Sequence, residues 1–171
     1  MTRIQVPTVS SLVEARAHAH EYSSVLTAGT EPAKVGFQHP DHLIVSFYYL
    51  TETSPTEFVP PTIQQVDDMV SWGRGRENLL VHCNTGVSVS TATAWGVAIA
   101  NGWDPEEAYT QLRKQHPASS YAGMLYARAF FPDELIISYL EDLFSIPKGR
   151  LLAIHEHSHK VDPWRPARSV R

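Results

Sequence analysis

A chain of 171 residues, 43% hydrophobic and 19% charged, is long and apolar enough to bury the core of one ordinary domain, which excludes intrinsic disorder. Its formal net charge of −4, from 14 basic and 18 acidic residues, sets up no positive field of the kind nucleic acid attracts, so DNA and RNA are discounted as partners. No apolar run is long enough to span a bilayer, the N-terminus lacks the apolar stretch of a secretory signal, and the single cysteine cannot form an internal disulfide; the expectation is a cytoplasmic protein with no membrane partner.

In chain order, Arg3 to Val6 reads as a first short strand. Ser11-Leu12-Val13-Glu14 carries the spacing of a capping box and predicts a helix running toward His20. His18 and His20 are two apart on that helix, face different ways, and are read as solvated rather than as a metal pair. Tyr22 to Thr27 is expected as a second strand, with Ala28 to Pro32 as its turn. His42 to Leu50 is strongly β-forming and reads as a buried strand, and the prolines of Thr51 to Pro61 make an extended surface loop. Thr62 to Gln65 is a second capping box, opening a helix whose apolar face is Ile63, Val66, Met69, Val70 and Trp72 and which ends near Gly73.

That helix leads into a central strand, Asn78 to His82, and then into an Ala-rich helix from Ser88 to Asn101. Asp104-Pro105-Glu106-Glu107 restarts the chain as a capped helix running to about His116. Ala118 to Phe131 reads as a short helix or ordered loop, and Asp133 to Phe144 as a terminal helix with Leu135, Ile136, Tyr139, Leu140 and Leu143 as its stripe. Strands alternating with helices predict an α/β fold, a central mostly parallel sheet flanked by helices with a helical C-terminal half. The domain is drawn at residues 1–152 and a tail at 153–171. Lys148 onward shows no amphipathic period, and the last ten or so residues are expected to be loose or used in contacts. His155, His157 and His159 would share a face if extended, but the segment is read as solvated and no metal is assigned.

The chemistry concentrates at Leu79 to Ala92. A short apolar run ends in His82-Cys83, passes through a small polar turn containing Gly86, and becomes a helix, so the only cysteine sits at the bend of a strand–loop–helix unit. In such a turn successive backbone N–H groups point into one hollow at a helix N-terminus, where an anion is stabilised above the thiol. The competing reading of Cys83 is a small buried apolar residue.

This loop resembles the signature of cysteine-dependent protein tyrosine and dual-specificity phosphatases, His-Cys-x-x-Gly-x-x-Arg followed by Ser or Thr, here His82, Cys83, Gly86 and Ser90. The order of elements from about Ile4 to Leu152 looks most like that of compact bacterial tyrosine-phosphatase-like proteins. The resemblance implies a catalytic group of Cys83, His82 and Ser90, phosphate binding by Asn84, Thr85, Gly86, Val87, Ser88 and Val89, and no cofactor. Two positions depart from the pattern. Val89 stands where the family carries the arginine that grips the phosphoryl oxygens, and no aspartate stands near Tyr49, where the family's general acid is expected; Glu52 and Glu57 are the nearest carboxylates.

A thiolate attacks phosphorus, the arginine's bidentate grip strengthens toward the transition state, and the acid protonates the leaving alcohol. With both helpers missing, the expected protein is a catalytically impaired pseudophosphatase whose partner is a phosphorylated or otherwise anionic ligand, or another protein. The alternatives are an active phosphomonoesterase in which Arg113, Arg128 or another distant basic residue reaches the pocket, and a thiol-based activity at Cys83 unrelated to phosphate.

Overall fold

The structure is a computed structural model that describes residues 3–47, 59–115, 130 and 132–160, with main chain only at 159 and 160. Its strands are β1 (Thr8–Ser11), β2 (Ser24–Ala28), β3 (His42–Val45) and β4 (Leu79–Cys83), joined in one sheet of order β1-β4-β2-β3 with every pairing parallel. The described helices are α1 (Leu12–His18), α2 (Pro32–Val35), α3 (Ile63–Gly73), α4 (Val89–Ala100), α5 (Pro105–Lys114), α6 (Glu134–Leu143) and α7 (Arg150–Lys160). The α/β class and the parallel sheet are those the alternation of elements predicts.

Central strands of a parallel sheet are covered on both faces, and β2 and β4 are buried along their whole length. On one face α1 packs Ala15 and the following Ala19 against Val25 and Leu80. On the other lies α4, whose residues from Ser90 to Ala98 are all buried and which therefore has no polar stripe. Its small residues admit close neighbours: a Cβ added at Gly96 would lie 2.5 Å from Leu140 Cδ2 and 2.8 Å from Val70 Cγ2, so α3 and α6 close on α4 only because that side chain is absent. Trp95 donates its indole N–H to Pro105 O at 2.8 Å and meets Tyr109 edge to face, locking α5 to the same helix.

Both capping boxes form, Ser11 with Glu14 and Thr62 with Gln65, and Asp104 caps α5. The first strand, however, is Thr8–Ser11 rather than Arg3 to Val6. Arg3 lies 3.7 Å over the Trp103 ring and pairs with Glu107, while Trp103 donates to Ile4 O, so the start of the chain is drawn across the α4–α5 turn and β1 begins after Pro7. The free edge of β1 is closed by one side chain: Val9 N–H donates to Gln115 Oε1 at 3.0 Å, and Gln115 Nε2 donates to Pro7 O at 2.8 Å. A short α2 occupies the stretch after β2 where only a turn is expected, with Pro32 at its start and Gly36 in the left-handed region at its end. β3 spans His42–Val45, the front of the expected His42 to Leu50 strand; Tyr49, Glu52 and Glu57 lie outside the described residues, as does Ala118 to Ala129.

The largest correction is α7, which forms in the stretch from Lys148 where no amphipathic period is read and spans residue 152, where the domain is drawn to end; the last ten or so residues lie outside the described ones. Leu151, Ile154 and His155, spaced i, i+3, i+4, are buried, and Tyr109 Oη meets His155 Nδ1 at 2.8 Å. The helix is docked by Glu141 of α6, itself only 3% exposed, whose carboxylate accepts from Gly149 N–H and Leu151 N–H, both at 2.8 Å. Replacing that carboxylate removes two charge-assisted bonds and leaves two helix-terminal donors without it. Glu141→Ala is therefore expected to cost about 3 kcal/mol in urea unfolding, with Glu141→Gln intermediate because its amide oxygen still accepts.

Candidate functional site

Cys83 is the last residue of β4, at the carboxyl end of the parallel strands, where open α/β sheets place their ligands. Its position is fixed from the β1 side, by the register Ser11↔Cys83 and by Leu12 N–H donating to Asn84 O at 3.2 Å. The chain then turns over the cysteine. Gly86 takes φ +75°, and a Cβ there would stand 2.7 Å from Ser10 C and Ser11 N, so only glycine lets the turn press against the end of β1. The consequence is at the sulfur: Gly86 N–H points at Cys83 Sγ from 3.2 Å, and Ser90 Oγ, fully buried in the first turn of α4, lies 3.1 Å from it.

The outer loop residues differ in role. Asn84 and Thr85 are exposed, with Asn84 Oδ1 held at 3.1 Å by the buried Thr30 hydroxyl. Val87, Ser88 and Val89 are half-buried. Ser88 is the N-cap of α4 but makes no side-chain cap, so the first-turn donors of that helix are not satisfied by it. Its carbonyl is instead anchored from behind, by Ala92 N–H at 3.1 Å, the Thr91 hydroxyl at 2.8 Å and Asp133 N–H at 3.2 Å. The part played by Thr30 and Asp133 is not legible in the sequence, since each meets the loop only through the fold.

Val89 presents Cγ1 toward Gly29, where it would lie 3.5 Å from an added Cβ, beside Phe47. The Val89 side chain is thus directed at the turn after β2. Arg113 is held on the other side of α5, donating to Ser158 O at 2.8 Å and lying beside Tyr109, whose hydroxyl burial pushes up to about 12. Arg128 lies outside the described residues. His155, His157 and His159 sit on a helix rather than an extended strand, and His155 is already bonded to Tyr109, so the alternating face they would need does not exist.

His82 is fully buried and leaves β4 on the face opposite Cys83, as alternate strand residues do. Its Nε2 meets Thr27 Oγ1 at 2.6 Å, and its Nδ1 finds no hydrogen-bond partner of good geometry among the described residues. Burial pushes its pKa down to about 4, with the neighbouring His42 and Arg16 charges adding to the depression and the Cys83 main chain opposing it. The folded state therefore holds His82 neutral, while the unfolded chain binds a proton below about 6.5. Stability from this group is full above that value and falls as the pH drops toward 4. The denaturation free energy is expected to be lower at pH 5 than at pH 7 by about 2 kcal/mol, checked by urea titrations at the two values, and His82→Asn should flatten the difference.

No family model matches the sequence, and no curated protein matches it. A solved structure described as "Crystal structure of Tk-PTP in the active form" aligns over 85% of this chain and 93% of its own, at 15% sequence identity and a TM-score of 0.49.

Proposed function

We propose that this chain is a protein-tyrosine-phosphatase-like protein that keeps an oxyanion-binding loop over Cys83 but is impaired as an enzyme, and that it works by holding a phosphorylated or otherwise anionic ligand. The observation that carries the reading is the convergence of Gly86 N–H and Ser90 Oγ on Cys83 Sγ inside a strand–loop–helix turn. A buried structural cysteine needs neither contact. A sulfur meant to be nucleophile or anion floor needs donors of this kind, because they stabilise its negative charge.

The impairment follows from Val89. Main-chain donors bind an oxyanion whatever the side chains are, but only a guanidinium supplies the planar fork whose grip tightens as charge shifts to the equatorial oxygens. Loss of one preorganised group of this kind costs about 10²–10³ in rate, and loss of a general acid about 10²–10⁴. The purified protein should turn over an aryl phosphate at or near the rate of Cys83→Ser. Clear turnover that Cys83→Ser abolishes would establish the working-enzyme alternative instead.

A further inference from the structure

Behind the loop, three side chains form a hydrogen-bonded row that the chemistry at Cys83 does not itself require. Thr27 Oγ1 of β2 lies 2.6 Å from His82 Nε2 and 2.8 Å from His42 Nε2, so one hydroxyl, with one hydrogen, bridges two imidazoles. Thr27 is fully buried, His42 is half-buried at the start of β3, and the His42 ring stacks on Phe37 at 5.2 Å and 12°. The row therefore runs from a ring near the surface to a buried ring covalently next to the cysteine.

We propose that Thr27 and His42 are positioning residues that relay the protonation state of His42 to His82, setting which of its ring nitrogens carries the hydrogen and thereby tuning the Cys83 loop. The proposal deepens the reading of Cys83 as the floor of an anion site and rests on it for its purpose. A hydroxyl donates once, so the direction of the row is a two-state element. When His42 is neutral and accepts at Nε2, Thr27 donates to it and accepts from His82 Nε2–H, leaving His82 Nδ1 bare. When His42 is cationic, its Nε2–H must donate to Thr27, Thr27 must donate to His82 Nε2, and the hydrogen of the still neutral His82 is carried at Nδ1. The net change is one proton gained from solvent: N–H bonds form at His42 Nε2 and His82 Nδ1, and the His82 Nε2–H bond breaks, its proton passing to the Thr27 oxygen as the Thr27 hydroxyl proton passes to His42 Nε2.

The surroundings fit this division. His82 is deeply buried and resists taking a charge, so the proton's charge settles on His42. Among the described residues Nδ1 is the His82 atom without a hydrogen-bond partner of good geometry, and the Cys83 main chain is beside the ring, so the tautomer change is felt where the loop begins. The groups facing His42 are His39 edge-on at 6.5 Å and His82 at 6.5 Å; Asp41 precedes it in the chain, bonded to Ser24 and Arg76, and Arg16 of α1 bears on His82. Burial and His39 both lower the His42 pKa, which places its titration on the acid side of neutrality.

Imidazole ¹⁵N–¹H correlation spectra report the tautomer of each histidine directly, and the lone cysteine makes alkylation a clean second readout. As the pH is lowered through the His42 titration, His82 should stay neutral while its hydrogen moves from Nε2 to Nδ1. Over the same range the rate of Cys83 alkylation by iodoacetamide in the wild type should exceed that of His42→Gln, by about fivefold for a coupling of ordinary size. His42→Gln, which keeps a bonding group but does not titrate, should remove both effects; Thr27→Ser should keep both, and Thr27→Val should uncouple the tautomer. A single His82 tautomer across the His42 titration in the wild-type protein overturns the proposal, as does a folded Thr27→Val protein that still switches. If Thr27→Val fails to fold, the wild type, His42→Gln and Thr27→Ser carry the test alone. Absence of oxyanion binding would overturn the anion-site reading without touching the tautomer result, so the two failures are distinguishable.

Discussion

Gly86→Ala is expected to lower the free energy of unfolding by about 3 kcal/mol or more and to abolish anion binding at Cys83. Two costs act at once. The residue sits at φ +75°, which any side chain resists, and the new methyl would stand 2.7 Å from Ser10 C and Ser11 N and 2.8 Å from Ser10 O. Those are main-chain atoms of a strand paired to β4, and Ser11 is also the N-cap of α1, so nothing can rotate away. The loop must lift instead, carrying Gly86 N–H off the sulfur. Gly75→Ala is the matched control: it has φ +79° but no atom within 4 Å of an added Cβ, so it bears the backbone strain alone, about 1 kcal/mol. Urea midpoints of the two variants separate strain from steric overlap.

Val89→Arg should raise oxyanion affinity on the order of tenfold to a hundredfold and aryl phosphate turnover by about 10²–10³. The half-buried valine is the first residue of α4, beside the donors that Ser88 leaves without a side-chain cap. An arginine is too long to follow Cγ1 toward Gly29 and Phe47; on the proposed function it is expected to extend across the mouth of the loop, with its fork toward the bound oxyanion. Aryl phosphates should gain most, because a phenolate leaves without help, while alkyl phosphates should stay slow for want of an acid. Competitive inhibition by tungstate and initial rates on the two substrate types check the pair of effects. A folded variant that binds tungstate no better than the parent shows that the pocket has diverged by more than one side chain.

How far the sequence anticipates this molecule depends on whether the information is local. Ser11 to Glu14, Thr62 to Gln65 and Asp104 to Glu107 announce their helices because a cap is written within four residues, and the structure holds each cap as read. The strand–loop–helix around Cys83 is legible for the same reason. Arg3 to Val6 misled because its β-like residues are claimed by Trp103 and Glu107, about a hundred positions away. α7 was hidden because its docking group, Glu141, belongs to another helix, although the Leu151, Ile154, His155 spacing was present to be found. The site shows the same divide. Gly86 and Ser90 could be named from the motif, whereas His82 could be named but not placed: it turns away from the sulfur to Thr27, a partner 55 positions distant. The anchoring of Ser88 O by Asp133 depends likewise on the return of α6 to the loop.

Whether this loop holds an oxyanion without an arginine, as proposed, is decided by a tungstate titration of the ¹⁵N-labelled protein. Weak but saturable shifts are expected, concentrated in the amides of Gly86, Ser88, Val89 and Ser90, with Cys83 protected from alkylation over the same concentration range. Shifts that never saturate, or that leave those amides unmoved while Cys83 alkylates at an unchanged rate, would contradict the proposal.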